Sequence, residues 1–576
     1  MKELVAQEMK KARDKVINAV VVNVMMERGR RAVHDLDKNS EEAVKLQKET
    51  LMNLLEKNAN TEYGKKYGFA DIKSISEYKS RVPFSEYDTY EPYIRRMVKK
   101  GEKNLITADE PKHYALSSGS VGVPKHIPVS QMELDKYAKY GSAMVFGVMN
   151  EYYLTTKYRP LKLGYGANTL ELKFRETPTG VPKGAISGNL LKQVKNIVEY
   201  ILTPPWDIIS PEYDMDLKYL RARFVLERRD IIFLDGAFMT SLVDMMDYIT
   251  ANYKMLCKDI YYGRINKDIE MPQILREKLS QDLSPNPDRA RELMREFKKG
   301  TDCIIPRIWP KVQMIASIGT GGFFSYTKKM RRYTGKNIPF NNVMYAASEG
   351  VFATARHAED TSYVLIPEGG FYEFIPVKNE DDSKTLTIDE LEIGEEYEIV
   401  ITNLSGFYRY RIKDVIRVTG YYNQSPMVNF IYRKSQTMSI AGEKTNQEAL
   451  DWSVYQFCKE TGVNINDYSI YGDDDSKPGH YVFLMEPDRI VPKEDIPKLR
   501  DVIDGKLMQA NPSYGDKVRN GVLKPAELIL LQQETYQLYR DMMILKGVSA
   551  NQLKPVRVID TPMKYNFFFG LQERYD

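Results

Sequence analysis

Three short polar clusters in the sequence have residue types and spacings that suit the binding of a nucleotide. The first occupies residues 117–125 (SSGSVGVPK), where small residues interrupt the hydrophobic periodicity. Closely spaced hydroxyls, backbone N–H groups left accessible by glycine and a lysine together suit a polyphosphate. The GxxxxGK[ST] pattern is absent, so the loop does not indicate a P-loop NTPase, and a plain turn between a strand and a helix remains the alternative.

The second cluster is residues 345–349 (YAASE), at the end of a predicted strand. The ring of Tyr345 is suited to stacking on a base, and the Glu349 carboxylate is suited to holding Mg²⁺. A tyrosine at the end of a strand is more often a core residue, and a glutamate after it is more often solvated. Alone, this cluster only suggests a nucleotide site.

Residues 406–417 (GFYRYRIKDVIR) form the third cluster. Strand alternation places Arg409 and Arg411 on one face, and Asp414 is suited to binding ribose hydroxyls. The alternative is a cross-strand ladder of ion pairs, in which both arginines are structural. That alternative leaves the role of Asp414 open.

The hydrophobic pattern predicts the elements that carry these clusters. Residues 2–58 have apolar residues at three- and four-residue spacing, which predicts helices. A strand before residue 117 and a helix from about Gln131 flank the first loop, while residues 312–318 and 323–333 predict a buried strand and a helix. Strands that alternate with helices favour an α/β fold with a mainly parallel sheet.

The second half of the chain changes to a β pattern and then back again. Residues 342–345 predict another strand, and residues 363–418 predict a β meander or a barrel-like part. Helices and strands alternate again after that segment, and we place a hinge near Arg433. The sequence therefore predicts a large domain, residues 1–433, and a smaller mobile α/β domain, residues 434–576.

Length and charge limit the class of protein. With 576 residues, 43% of them hydrophobic, the chain has material for more than one core. The 83 basic and 79 acidic residues give a net charge of +4, so the composition gives no support for nucleic-acid binding. No apolar run approaches the roughly 18 residues that a spanning helix needs. We therefore expect a globular protein with neither nucleic-acid nor membrane partners.

Cysteines and histidines exclude further classes. Cys257, Cys303 and Cys458 lie far apart and form no CxxC or zinc spacing, which predicts neither a disulfide framework nor a structural metal. A reducing cytoplasm is the expected setting. The five histidines show no HExxH or GxSxG context, so the sequence does not indicate a hydrolase.

In this order along the chain, the three clusters resemble those of the Gretchen Hagen (auxin-responsive) acyl-acid amido synthetases, a family within the luciferase-like acyl-adenylate-forming superfamily. Residues 117–125 look like the family's phosphate loop, residues 345–349 like its nucleotide motif, and residues 406–418 like its GLYRYRxGDVVRV signature. Residues 367–376 and 441–446 are also similar to family segments. The resemblance covers most of the chain.

The resemblance implies a set of residues for ATP and Mg²⁺. The phosphates would lie at Ser117, Ser118, Gly119 and Ser120, the adenine near Tyr345 and Ala346, the α-phosphate near Ser348, Mg²⁺ at Glu349, and the ribose side at Asp414 and Arg417. Lys444 and Lys554 would approach the α-phosphate in one rotation of the small domain and stabilise the charge that develops there. The catalytic residues implied are Lys444, Lys554 and Glu349.

The family's activity, carried over, implies an ATP-dependent ligase that adenylates a carboxylic acid and passes the acyl group to an amine, typically an amino acid. An adenylating enzyme that acts on a thiol such as coenzyme A remains open. So does a non-catalytic nucleotide-binding homologue. The sequence departs from the family pattern in two places: Ala347 stands where a second serine is usual, and Lys413 replaces the glycine before Asp414.

The acyl pocket has the weakest signal in the sequence. We expect residues 131–148, the predicted helix after the phosphate loop, to line it. Lys136 or Lys139 could meet a carboxylate there, although lysines at such positions more often face solvent. The sequence leaves both roles open.

Overall fold

The structure, a computed structural model, describes residues 2–117, 125–173, 175–378, 384–434, 438–443, 445–546, 548 and 553–573. The α-helices are α1 (Lys2–Glu41), α2 (Ala43–Asn58), α3 (Glu62–Tyr67), α4 (Ile75–Arg81), α5 (Tyr87–Lys100), α6 (Gln131–Tyr137), α7 (Met144–Thr156), α8 (Ile186–Gln193), α9 (Lys195–Val198), α10 (Trp206–Ile209), α11 (Leu217–Glu227), α12 (Met239–Tyr262), α13 (Gln273–Ser280), α14 (Pro287–Phe297), α15 (Ile304–Ile308), α16 (Phe324–Thr334), α17 (Gln447–Thr461), α18 (Ile496–Ala510), α19 (Pro512–Arg519), α20 (Thr535–Leu545) and α21 (Pro562–Gly570). A π-helix, Ala138–Ala143, joins α6 to α7.

The strands are β1 (His113–Ser117), β2 (Lys125–Val129), β3 (Tyr165–Asn168), β4 (Arg175–Glu176), β5 (Pro182–Gly184), β6 (Leu202–Thr203), β7 (Ile231–Phe238), β8 (Met314–Ile318), β9 (Phe340–Asn341), β10 (Met344–Ala347), β11 (Gly350–Thr354), β12 (Tyr363–Leu365), β13 (Phe371–Pro376), β14 (Glu396–Thr402), β15 (Tyr410–Tyr422), β16 (Ser425–Arg433), β17 (Ile465–Asp473), β18 (His480–Pro487) and β19 (Glu527–Leu530).

Contacts between residues divide the chain into two compact units. The first contains Met1–Ile318, Tyr326–Ile412 and Arg417–Asn429, and the second contains Gly319–Ser325, Lys413–Ile416 and Phe430–Asp576. The second unit therefore includes two short earlier segments besides the C-terminal part of the chain. A domain division after Arg433 stays a prediction.

A parallel sheet of five strands, in the order β6-β3-β7-β8-β9, lies in the first unit. Each of its four strand pairings is parallel. The first four residues of β7, IIFL, are all buried, as is typical of a parallel strand covered on both faces. The predicted α/β fold with a mainly parallel sheet is confirmed, and β8 and α16 confirm the strand and helix predicted over residues 312–333.

The long helix α1 crosses α7 at two glycines. A Cβ atom added to Gly29 would lie 2.3 Å from the Gly147 nitrogen, and one added to Gly147 would lie 2.4 Å from the Gly29 oxygen. Backbones this close leave no room for a side chain at either position. Together α1 and α2 confirm the helices predicted over residues 2–58.

The segment around the predicted phosphate loop contains a strand that the sequence analysis missed. The loop joins β1 to β2, which pair antiparallel, so the prediction that a helix follows the loop directly is wrong. Pro128 argues against a strand, but β2 is the edge strand of the sheet β2-β1-β5-β4, where a missing N–H costs no ladder bond. The helix α6 then begins at Gln131, as predicted.

The β-rich part predicted over residues 363–418 belongs to a sheet of seven strands in the order β10-β11-β12-β16-β15-β14-β13. The pairings of β10 with β11, β11 with β12, β12 with β16 and β13 with β14 are antiparallel. Strand β10 begins at Met344 rather than at residue 342, because the left-handed φ of Val343, 56°, interrupts extended backbone there. The β10–β11 hairpin carries the second cluster, and β15 carries most of the third.

The second unit has its own sheet and hydrophobic core. Strand β17 pairs antiparallel with β18, and β18 pairs parallel with β19. Buried side chains from these strands and from the helices beside them form one cluster, which includes Phe457, Tyr481, Phe483 and Leu507. A core of this kind is what a compact domain requires.

None of the helices formed by the described residues is both long enough and apolar enough to cross a membrane. The 40-residue helix α1 mixes charged and apolar residues along its length.

Candidate functional site

The predicted phosphate loop begins and ends on adjacent strands. Ser117, the last residue of β1, pairs with Lys125, the first residue of β2. The side-chain ammonium of Lys125 lies 5.0 Å from the centroid of the Tyr87 ring, a cation–π contact. The other predicted phosphate-binding residues, Ser118, Gly119 and Ser120, lie outside the described residues. The hairpin thus fixes where the loop starts and where it ends.

The second cluster lies on the β10–β11 hairpin. Tyr345 and Ala346 belong to β10, and Ser348 and Glu349 form the turn before β11. The Tyr345 side chain is 7% exposed and meets the Phe352 ring edge-on, with ring centroids 5.4 Å apart. This is the packing of a core tyrosine, so stacking on a base stays a prediction.

The second and third clusters meet at Glu349. Asn403 Nδ2 donates to the Glu349 carbonyl oxygen at 2.7 Å, and the Tyr410 hydroxyl donates to Glu349 Oε1 at 3.4 Å. Tyr410 belongs to the third cluster, and Asn403 lies three residues before that cluster begins. Glu349 itself is partly exposed, so its carboxylate can meet a ligand from solvent.

Two side chains that the sequence analysis did not select also contact this turn. The Tyr137 hydroxyl donates to the Ala347 carbonyl oxygen, and Glu133 Oε1 accepts from the Val351 N–H at 3.1 Å. Burial raises the pKa of Glu133 to about 8. The signal that could have found these two residues is their spacing, because residues four apart on a predicted helix lie on one face.

The surroundings of Glu349 suit Mg²⁺ in one mode of binding. Across the described ranges, no group of three or more His, Cys, Asp or Glu side chains could hold a metal ion. At nucleotide sites Mg²⁺ is usually held by one or two carboxylates together with substrate phosphates and water. A single, partly exposed carboxylate at the tip of a turn fits that mode.

Asp414 belongs to the second unit and is 2% exposed. Arg433 Nε donates to its Oδ1 at 2.6 Å, so a ribose contact stays a prediction. The preceding Lys413 has a left-handed φ of 65° within β15. Glycine adopts this conformation freely, whereas other residues adopt it at a cost. The backbone therefore accounts for the glycine that the family pattern has at this position.

The arginines of the third cluster pair with carboxylates on two strands of the seven-stranded sheet. Arg409 makes two hydrogen bonds of 3.0 Å with Glu373 of β13, and both residues are buried. Arg411 makes two of 2.7 Å with Glu398 of β14. Both guanidinium groups also lie over the Phe84 ring, at 4.2 and 5.7 Å. The alternative in which both arginines are structural is therefore supported, and Arg411 does pair across neighbouring strands. The predicted strand alternation is wrong for Arg409, because this residue lies just before β15 with a left-handed φ of 48°.

The remaining predicted site residues are held in different ways. Arg417 donates to Glu396 at 2.7 Å within the first unit, so its nucleotide contact stays a prediction. Lys444 lies outside the described residues. Lys554 is exposed in the second unit, and three residues later the buried Arg557 donates to a backbone carbonyl of β17 at 2.8 Å. Arg557 thus anchors the segment that carries Lys554.

The helix that was expected to line the acyl pocket consists of three successive elements in the structure: α6, the π-helix and α7. Lys136 Nζ lies 3.1 Å from Glu368, and Lys139 Nζ lies 2.6 Å from Asp35. Both lysines are therefore partly buried in ion pairs, and a substrate carboxylate would compete with these side chains for them.

Protein-family models match three successive regions of the chain. They are described as the GH3 family N-terminal domain (residues 32–340), the GH3 family central domain (residues 363–433) and the GH3 family C-terminal domain (residues 448–563). The first of these ranges includes the predicted phosphate loop, and the second includes the signature-like third cluster.

Relatives also align over nearly the whole chain. A jasmonoyl–L-amino acid synthetase of Oryza sativa subsp. japonica is 27% identical over 553 residues, covering 92% of this chain and 94% of the relative. An indole-3-acetic acid-amido synthetase of Arabidopsis thaliana is 28% identical over 581 residues, covering 92% and 93%.

Solved structures share the fold. An acyl acid amido synthetase superposes with a TM-score of 0.81 at 24% identity, covering 94% of this chain and 96% of the other. A 2-hydroxyisobutyryl-CoA ligase in its postadenylation state reaches a TM-score of 0.51 at 11% identity, covering 94% and 91%. Each alignment covers 94% of this chain, so the fold is shared along most of its length.

Proposed function

This chain belongs to the GH3 family, and from that membership we propose that it is an ATP-dependent acyl-acid amido synthetase. It adenylates a carboxylic acid and transfers the acyl group to an amine, which we take to be an amino acid. The names of its full-length relatives support this class of reaction. Within the structure, the proposal rests on the nucleotide motif and the signature segment meeting at Glu349.

The proposed roles follow the order of the clusters. Ser117, Ser118, Gly119 and Ser120 bind the phosphates, Tyr345 and Ala346 lie by the adenine, Ser348 lies by the α-phosphate, and Asp414 and Arg417 lie on the ribose side. Glu349 holds Mg²⁺, which when bound neutralises charge on the phosphate oxygens. The partly exposed position of Glu349 and its contacts to Asn403 and Tyr410 support this assignment.

The proposed reaction has two steps, adenylation of the acid and transfer of the acyl group to the amine. In the first, a carboxylate oxygen of the acid attacks the α-phosphorus of ATP, and pyrophosphate leaves as the acyl-adenylate forms. In the second, the amine attacks the acyl carbon, AMP leaves, and the nitrogen loses a proton. No protein nucleophile is needed, so the residues of this chain act by binding, orienting and excluding water.

We further propose that residues 1–433 form the large adenylate-forming domain and residues 434–576 a mobile lid. Lys444 and Lys554 of the lid approach the α-phosphate in turn and stabilise the negative charge that develops there. The match of residues 448–563 to a separate C-terminal domain of the family supports the division. The anchoring of the Lys554 segment through Arg557 supports a defined position for that lysine.

We place the protein in the cytoplasm, with small-molecule acid and amine substrates. The wide spacing of the three cysteines along the sequence, which is unlike that of a disulfide framework, supports a reducing compartment.

The test is ATP–pyrophosphate exchange with Mg²⁺, screening aromatic, aliphatic and hydroxy acids with the amine omitted. Acid-dependent exchange in the wild type that is lost in Glu349→Ala and in Asp414→Ala is the expected result. Glu395→Ala is the matched control, because it removes a carboxylate that pairs with Lys378 at the surface. No exchange with any acid, despite ATP binding, would contradict the proposal and favour a non-catalytic nucleotide-binding protein.

The acceptor is tested next with the acid found in that screen. Twenty amino acids and coenzyme A are offered separately, and the products are identified by mass spectrometry. Amide products support the amido synthetase, whereas a thioester with coenzyme A and no amide would move the protein to the acyl-CoA ligases.

A further inference from the structure

Helix α6 begins directly after the phosphate-loop hairpin, and its first residues contact the turn that precedes the signature segment. Val129 is the last residue of β2, and Ser130 caps α6 by accepting from the Glu133 N–H at 3.2 Å. The Ser130 hydroxyl donates to the Leu404 carbonyl at 3.0 Å, and the Ser130 N–H donates to Ser405 Oγ at 3.0 Å. The start of α6 therefore contacts both the strand that ends the phosphate-loop hairpin and the residues just before the third cluster.

The same helix reaches the nucleotide turn one turn further along. Tyr137 donates through its hydroxyl to the Ala347 carbonyl, and Glu133 accepts the Val351 N–H. Both side chains are buried, 6% and 1% exposed. A Cβ atom at Gly350 would lie 3.1 Å from Glu133 Oε1, so the carboxyl is packed directly against the turn backbone.

A third side chain completes this support. Asn403 is 2% exposed, and its Nδ2 donates to the Glu349 carbonyl. Its Oδ1 accepts from the N–H groups of Ser405 and Phe407, at 3.1 and 2.9 Å. The turn is thus held at three alternate residues, 347, 349 and 351, by hydrogen bonds from side chains to backbone.

We propose that Tyr137, Glu133 and Asn403 are positioning residues that fix the turn carrying Ser348 and Glu349, an inference that rests on the proposed function. A carboxylate that holds a metal must be kept within about 0.5 Å of its working position, and such precision comes from the residues that lock its backbone. Because α6 starts directly after β2, Tyr137 and Glu133 tie the turn to the β1–β2 hairpin.

The inference predicts a selective kinetic effect. Loss of a support lets the turn sample positions in which Glu349 and Ser348 are misplaced for the nucleotide. Lys136 and Lys139, the side chains of the expected acyl-pocket region that could meet the acid, keep their ion pairs with Glu368 and Asp35. Affinity for ATP and Mg²⁺ should therefore fall, and the KM for the acid should not. One lost hydrogen bond of this kind corresponds to about a tenfold change.

The variants are Tyr137→Phe and Glu133→Met, which remove the two α6 supports, and Glu133→Gln, which keeps an oxygen acceptor at the same place. Tyr153→Phe is the matched control, because its buried hydroxyl also donates to a backbone carbonyl, that of Gln313 at 3.1 Å, but in α7 away from the turn. For each protein, calorimetry measures the Kd of ATP with Mg²⁺ and without acid, and exchange measures KM for ATP and for the acid.

We expect Tyr137→Phe and Glu133→Met to raise the Kd and KM for ATP about tenfold while KM for the acid stays within twofold. Glu133→Gln and Tyr153→Phe should behave like the wild type. Equal increases in both KM values, or a lowered melting temperature with unchanged ATP affinity, would overturn the inference and leave these residues as ordinary structural ones.

The outcome is separable from that of the proposed function. If the wild type binds ATP but shows no exchange with any acid, the proposed function fails, and the calorimetric series still tests the positioning role. If Glu133→Met does not fold, Gly350→Ala tests the same contact from the side of the turn, and the same loss of ATP affinity is expected. A Gly350→Ala protein with wild-type ATP affinity would count against the inference.

Discussion

The turn that carries Glu349 and the strand that Arg409 immediately precedes, β15, belong to the same sheet but are held by different interactions. The turn is fixed by hydrogen bonds from side chains to its backbone, including those from Tyr137 and Asn403. The strand is fixed by arginine–carboxylate pairs to β13 and β14, such as Arg409 with Glu373. The first arrangement positions a turn, and the second holds strands together.

This difference shows that the most conspicuous charges of the signature segment are not the ones closest to the proposed chemistry. Arg409 and Arg411 are the two arginines that strand alternation was predicted to place on one face, and each is committed to a glutamate of the same sheet. The supports of the turn come from residues without an obvious motif. Four substitutions, taken from the largest expected effect to the smallest, test the contrast.

Breaking the strand's ion pair should cost the most stability. Arg409→Met leaves the Glu373 carboxylate buried without its partner, and removal of one member of a buried pair costs about 3–5 kcal/mol. Arg417→Met is the control, because the Arg417–Glu396 pair is partly exposed and should contribute at most about 1 kcal/mol. Urea unfolding compares the two. Equal losses would mean that Arg409 is not the structural residue that its burial indicates.

Changing the turn's carboxylate should instead remove activity and leave stability intact. Glu349→Gln keeps the shape of the side chain but loses the charge that holds Mg²⁺, so exchange should fall by about 100- to 1,000-fold, or about 2.7–4 kcal/mol of transition-state stabilisation. The melting temperature should match that of the wild type. A stability loss as large as that of Arg409→Met would erase the distinction between the two regions.

The buried support of the turn should make stability depend on pH. Burial raises the pKa of Glu133 from an ordinary 4.5 to about 8, although the nearby charge of Lys136 opposes the rise. The folded protein therefore holds this proton more tightly than the unfolded chain, and the stabilisation, complete below pH 4.5, is lost as pH rises toward 8. Tyr137 and Tyr372 also feel the Glu133 charge, and burial keeps the pKa of each well above its usual range.

Glu133→Gln should abolish this dependence. Between pH 6 and 8.5 the wild type should lose about 2–3 kcal/mol that the variant keeps, at about 1.4 kcal/mol per pKa unit. Thermal unfolding of both proteins without nucleotide or metal, at the two pH values, gives the comparison. Parallel pH profiles would show that Glu133 does not carry the proton in the folded state.

The smallest effect concerns the strained backbone beside Asp414. Lys413→Gly should stabilise the protein by about 1 kcal/mol, because glycine adopts a φ of 65° without the steric cost that lysine meets. Asn423→Gly is the control: Asn423 has a φ of 53°, but asparagine tolerates that region, so little should change. We expect the melting temperature to rise for Lys413→Gly alone. Equal changes in melting temperature for the two variants would show that the backbone of Lys413 is not specially strained.

The sequence was informative wherever a pattern extends over many residues. Helical spacing predicted α1 and α2, and alternating strands and helices predicted the parallel sheet. The edge strand β2 was missed because Pro128 disfavours strands in general, and only the sheet order shows that its position tolerates proline. Local propensity carries no information about which strand lies at an edge.

The candidate site was predictable only in part, for a similar reason. Glu349 and Asp414 stand in recognisable motifs, whereas Tyr137 and Asn403 act through single hydrogen bonds to residues 210 and 54 positions away. Partners so distant in sequence are set by the packing of α6 and of the turn before Gly406 against the hairpin. The positive φ of Lys413 was likewise visible only as a departure from an expected glycine.

The π-helix between α6 and α7 sets a limit on how this region can change in length. Tyr137 is fixed to the nucleotide turn at one end, and Gly147 is locked against Gly29 at the other. A π-helix is a stretch with a wider hydrogen-bonded turn than the α-helices it joins. Because a π turn holds one residue more than an α turn, deleting one residue from Ala138–Ala143 can be absorbed by tightening the segment to α-helix. The same deletion within α6 or α7 would rotate residues on one side of it by about 100° relative to those on the other and disturb one of the two contacts. The π-helix is therefore the place where this helical region tolerates the loss of one residue.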